Sequence, residues 1–140
     1  MIKKSRKEYQ KEYRLKNRED LLKKRREYEK KRRCNDPIFR MQINMRTAMS
    51  HAITGRKKNQ PTMNIIGCSV KELFEHFESC SSWEPWMTRE NYGKNGWDTD
   101  HIIAIANWDA NCPLQFALCW DKSNLQPMEH IANLKKGNRC

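Results

Sequence analysis

From Lys3 to Arg33 the chain holds sixteen Lys/Arg against six Asp/Glu, a net +10, with no glycine, proline, tryptophan or phenylalanine. The five tryptophans and four phenylalanines all lie after Cys34. A segment of that kind is rich in strong helix formers but has almost nothing to bury, so a helix is open to it and a core is not. The core must be built by the later residues. Because the whole chain carries +11, the residues beyond Arg33 are nearly neutral taken together. The 140 residues leave room for one compact domain behind a basic extension.

Within the extension, Glu8 and Lys11, Glu12 and Lys16, and Glu19 and Lys23 are spaced for pairing along a helix. Leu15, Leu21, Leu22 and the tyrosines at 9, 13 and 28 form too thin a seam for a coiled coil. A concentrated positive charge repels itself unless an anion is near. That favours a helical arm tracking nucleic-acid phosphates over a merely solvated helix. The residues expected to meet the backbone are Lys23, Lys24, Arg25, Arg26, Lys30, Lys31, Arg32 and Arg33.

The longest strictly apolar run, Ile102 to Ala106, is far too short to span a bilayer, and no apolar stretch comes after Lys3 and Lys4. No membrane partner is expected, and the chain is expected to stay in the cytoplasm. The six cysteines form no C-x-x-C pair. They read as free, mostly buried thiols, with no structural zinc.

Asn35-Asp36-Pro37 signals a turn and a helix start. Ile38, Met41, Met45, Ala48, Met49 and Ala52 then recur at helical spacing, up to about Gly55. The loop Gly55 to Pro61 brings Arg56, Lys57 and Lys58, three further candidate phosphate contacts. Ser69 and Glu72 fit a capping box ahead of Leu73, Phe74 and Phe77. Residues 79–96 read as a loop pinned by Trp83, Trp86 and Tyr92.

From Trp97 to Ala106 the residues suit a strand, and a second strand is expected within Leu114 to Trp120. Pro127 and Gly137 bracket a helix, expected over about Pro127 to Lys136. Asp98 and Asp100 share one face of the first strand, and His101 takes the other unless the strand ends there.

Three blocks carry a resemblance: Asp100-His101-Ile102-Ile103, Asn124-Leu125-Gln126-Pro127-Met128 and Asn133-Leu134-Lys135-Lys136-Gly137. Together they resemble the HNH (ββα-metal) endonuclease family, in the phage and bacterial branch that includes small homing endonucleases. Weaker likeness reaches upstream to Asp36, across roughly residues 36–138. The resemblance implies an α+β fold: a C-terminal ββα-metal module over 97–140, a helical support region over 36–96, and a basic arm over 1–35. It implies His101 as general base, Asp100 and Asn133 as ligands of one Mg²⁺ or Mn²⁺, and Asn124 as the brace of the loop that orients His101. Independently of the family, a neutral imidazole suits proton abstraction near pH 7. One carboxylate and one amide oxygen form a hard, sparse ligand set. Lys135 and Lys136, at the end of the last helix, join the expected phosphate contacts. Zinc-bearing relatives have cysteines around that helix where this chain has Glu129 and Ala132, so packing is expected to hold it. His130 reads as a surface residue or a phosphate contact.

The expected function is thus a metal-dependent DNA endonuclease, of homing or nicking type, in the cytoplasm of a bacterial host if phage-encoded. Its expected partner is double-stranded DNA, with no nucleotide cofactor, and its expected state is a monomer or weak dimer. Three alternatives stand beside it: a DNA-binding protein that uses the module as a scaffold without cutting, a restriction or packaging-associated nuclease, and an RNA-binding or translation-associated basic protein, which explains the arm but not the motif.

Overall fold

A computed structural model describes residues 5–53 and 60–139. It is a mixture of helices with one two-stranded sheet, an α+β fold, in two units, Met1–Asn35 and Asp36–Cys140. No helix among the described residues is long and apolar enough to cross a membrane.

The first unit is two helices, α1 (Arg6–Lys16) and α2 (Arg18–Asn35), neither with a buried residue. Ser5 and Glu8 form a capping box at the start of α1, and the exchange of bonds holds the Glu8 carboxyl below its ordinary pKa. One helix through the whole arm was the natural expectation, but Asn17 interrupts it. Its side-chain amide donates to the Tyr13 carbonyl (2.8 Å), alongside its own backbone N–H, and its backbone leaves the helical region. Tyr9, Tyr13 and Tyr28 stand exposed.

The second unit begins with α3 (Pro37–Ala52), where the Asp36 carboxylate accepts the Phe39 N–H (2.9 Å) and Pro37 occupies the first turn. Met41, Met45 and Met49 bury its inner face, while Ile38 and Ala48 of the expected stripe lie outside it. A short α4 (Thr62–Ile66) ends at Gly67, whose left-handed φ of 83° turns the chain into α5 (Val70–Ser79). Ser69 and Glu72 cap α5 reciprocally, and Val70, Leu73, Phe74 and Phe77 are buried.

Trp97 is the hub of the core. Its indole lies 5.6 Å from Phe77, 5.1 Å from Trp83 and 4.9 Å from Tyr92, centroid to centroid, and its Nε1 donates to the Thr88 carbonyl (2.7 Å). Burying an indole removes on the order of 200 Å² from water, roughly 5 kcal/mol. The same contacts join residues 36–96 to 97–140 in one core, so the expected boundary at 96/97 separates no packing unit. Arg40 pins the intervening loop from beneath: buried, it donates to the carbonyls of Tyr92 (2.7 Å) and Glu90 (2.8 Å).

The strands are β1 (Trp97–His101) and β2 (Leu125–Glu129), antiparallel, with Asp100 opposite Gln126 and His101 opposite Leu125. Two expectations change here. Residues 113–120 form a helix, α6 (Pro113–Trp120), because Pro113 suits a first turn and the Leu-Gln-Phe-Ala-Leu run favours helix. Pro127 lies in β2, opposite Thr99, and the last helix, α7 (His130–Lys136), starts three residues later. In a two-stranded sheet every strand is an edge, so a proline can be accommodated. The strand expected to Ala106 stops at His101: the Ile102 N–H still bonds the Asn124 carbonyl (2.8 Å), in register with the ladder, but the Ile103 N–H bonds the Asn124 side-chain Oδ1 (2.9 Å).

Candidate active site

Alternation along β1 sends Trp97 into the core and Asp98 and Asp100 to the opposite face, which α7 covers. A cleft of about 170 Å³ opens there, lined by Asp100, His101 and Asn133 together with Ala104, Ile105 and Gly137. Residues from β1 and α7, far apart in the chain, are thereby brought to one small space.

Asp100 is 5% exposed and accepts two hydrogen bonds at Oδ2, from Gln126 Nε2 (2.8 Å) and Lys136 Nζ (2.6 Å). A carboxylate oxygen has two acceptor sites, so Oδ2 is filled. Oδ1 receives no donor among the described residues, and Asp100 is one of the residues that line the cleft.

His101 packs edge-on against Trp120, ring centroids 4.6 Å apart. Burial pulls its pKa down to about 4, with Asp100 opposing the shift and Lys136 adding to it. The ring is therefore neutral at physiological pH. Its Nε2 is enclosed and has no hydrogen-bond partner among the described residues.

Asn124 is buried and does not line the cleft. Its Oδ1 accepts the Ile103 N–H, and its amide nitrogen donates to the carbonyls of Cys119 (2.9 Å) and Ile103 (3.2 Å). One side chain thus ties the end of α6 to the turn just after His101.

Helix α7 has no buried residue, and Ile131 and Leu134 point into solvent. Packing was expected to hold it; polar groups do so instead, because its sheet-facing residues, His130, Asn133 and Lys136, are all polar. The Glu129 carboxylate accepts the N–H groups of Ile131 (3.0 Å) and Ala132 (2.6 Å), which lowers its pKa. His130 Nδ1 donates to Asp98 Oδ2 (2.5 Å), its backbone N–H to the Gly96 carbonyl (3.0 Å), and Lys136 closes the far end on Asp100. Gly96 is required at that crossing, since a Cβ there would lie 2.4 Å from the Asn91 carbonyl oxygen.

Of the expected phosphate contacts, Lys23, Lys24, Arg25, Arg26, Lys30, Lys31, Arg32 and Arg33 are exposed on α2, with Arg25 also bonded to Glu29 (2.9 Å). Lys135 is exposed on α7. Arg56, Lys57 and Lys58 lie outside the described residues. Lys136 departs from its expected role: its ammonium is turned inward, on Asp100 Oδ2 and on the His101 carbonyl (2.6 Å). His130 likewise faces Asp98 and not open solvent. Gln126 was not anticipated as a site residue. The signal available was its place in the Asn-Leu-Gln-Pro block, but only the strand register aligns it with Asp100.

Among the described residues no cluster of three or more His, Cys, Asp or Glu gathers as a metal site. The set available to a cation in the cleft is the Asp100 carboxylate with the Asn133 amide oxygen. This suits a hard divalent ion that keeps several waters and takes its remaining ligands from a phosphate.

The chain is 33% identical over 118 residues to the uncharacterized protein L246 of Acanthamoeba polyphaga mimivirus, a match covering 84% of this chain and 50% of that protein. The chain thus spans about half the length of the curated relative it matches. No family model and no solved structure matches it.

Proposed function

We propose that this chain is a metal-dependent endonuclease of the HNH type that hydrolyses phosphodiester bonds in double-stranded DNA. The observation that carries this reading is the convergence of Asp100, His101 and Asn133 on one cleft. Asp100 Oδ1 and the Asn133 amide oxygen would hold one Mg²⁺ or Mn²⁺. Bound there, the ion supplies a Lewis acid against the charge that develops on the scissile phosphate. His101, neutral because it is buried, accepts the proton of the attacking water. Since Nε2 is enclosed, Nδ1 is the nitrogen that does so. Asn124 keeps the turn after His101 from shifting. Gln126 fixes the direction of the Asp100 carboxylate.

The exposed cations of α2 hold the phosphate backbone, giving affinity without reading sequence. With one cleft per copy, a single copy would nick one strand, in keeping with an endonuclease of homing or nicking type. The test is conversion of supercoiled plasmid to open circle, with Mg²⁺, Mn²⁺ or EDTA, by wild type and His101→Ala. Cutting should need the metal and vanish in the variant while DNA affinity stays. Cutting that survives in EDTA or in the variant would sink the reading.

A further inference from the structure

Lys136 is not accounted for by the hydrolytic roles above. Its side chain is 14% exposed and that of Asp100 6%, with the ammonium 2.6 Å from Asp100 Oδ2. A second 2.6 Å bond, to the His101 carbonyl, fixes the ammonium against β1, while the neighbouring Lys135 is exposed. A carboxylate so withdrawn from water needs a countercharge. In this fold the protein supplies one from its own chain. Lys136 and Gln126 together fill Oδ2, so the carboxylate is held in one orientation and Oδ1 is left without a protein donor among the described residues.

The same arrangement opposes a second cation. A divalent ion on Oδ1 would stand one carboxylate's breadth from a fixed ammonium, in a half-buried place where water screens their repulsion poorly. The carboxylate's charge would also be shared between the two.

We infer that Lys136 is a resident counter-ion of Asp100, a positioning residue that keeps the carboxylate oriented in the absence of metal and lowers the site's affinity for the divalent cation. The inference rests on the reading that Asp100 is a metal ligand. Removing the charge of Lys136 should therefore tighten metal binding, whereas a merely structural lysine would leave it unchanged or weaken it when removed.

The experiment is a titration of the full chain with Mn²⁺, free ion followed by its paramagnetic resonance, for wild type, Lys136→Met, Lys136→Gln, Lys136→Arg and Asp100→Asn. Lys136→Met should bind Mn²⁺ at least about tenfold more tightly than wild type, using the field estimate for two near charges. Its melting temperature in EDTA should fall, and Mn²⁺ should raise it by more than it raises the wild type. Lys136→Gln keeps a donor for Asp100 without the charge; it should behave like Lys136→Met and serves as the comparison if that variant does not fold. Lys136→Arg, with charge retained, should stay near wild type. Folded neutral variants that bind Mn²⁺ no more tightly than wild type overturn the inference and leave the nuclease reading intact. Mn²⁺ binding that is absent from every protein, or indifferent to Asp100→Asn, overturns both.

Discussion

Asp98 Oδ2 accepts a 2.5 Å hydrogen bond from His130 Nδ1, joining the start of β1 to the first residue of α7. Both side chains are less than a third exposed. A hydrogen bond to a charged group in such a place is worth about 1.5–3 kcal/mol. His130→Ala and Asp98→Asn should each cost about 2 kcal/mol in urea unfolding, and the double variant little more than either alone. Additive losses would mean that the two residues act separately.

Asn124 should be costly to replace. Asn124→Ala strands the Ile103 N–H and removes donors from the carbonyls of Ile103 and Cys119. A loss of about 3 kcal/mol is expected for that many buried groups. The Asp100 and Asn133 side chains are left untouched, so Mn²⁺ binding by the folded fraction should persist while plasmid nicking falls. Nicking at the wild-type rate would remove Asn124 from the positioning of His101.

His101 contributes its own share to the pH dependence of the metal-free protein, beside the carboxyls whose pKa values are lowered. Folded, the ring titrates at about 4, against 6.5 as the ordinary value, because burial opposes its charge. Between those values the unfolded chain takes up a proton that the folded chain refuses, so stability rises with pH. The contribution is complete above pH 6.5 and is lost as the pH falls toward 4, a loss on the order of 3 kcal/mol. In EDTA, wild type should lose that much more stability across the window than His101→Gln, by urea midpoints at each pH. Parallel curves would mean that the folded ring accepts a proton as readily as the unfolded one.

The arm should govern the salt dependence of DNA binding. Its cations among the described residues are exposed and neither of its helices buries a residue. Deleting residues 1–33 should reduce the slope of log affinity against log salt by about one for each phosphate that the arm neutralises. The core, which lies after Asn35, should melt as before. An unchanged slope in the truncated protein would clear the arm of this role.

The parts that could be read from the chain are those decided by neighbours. Asp36 with Pro37, and Ser69 with Glu72, start helices through bonds made within three residues. The motif spacing singled out Asp100, His101 and Asn133, and the fold gathers them in one cleft. Residues 113–129 resisted a sequence reading for two physical reasons. A short apolar run suits helix or strand alike, and Pro127 fits a first helical turn as well as an edge strand. The origins of the two bonds on Asp100 Oδ2 were beyond local reading. Gln126 arrives through strand register and Lys136 through the docking of α7, and neither is set by nearby residues.

A helix with no buried side chain, tied down only at its ends, is a unit that can open by itself. Segments with few apolar contacts exchange their amide hydrogens through local opening, at free energies below that of the whole fold. Helix α7 is of this kind, and it carries Asn133 and Lys136. When it lifts, the cleft ceases to exist while Trp97 and its aromatic neighbours stay packed. Rising urea should therefore dismantle the cleft first and expose the tryptophans only later, so that the proposed site is less stable than the core it rests on.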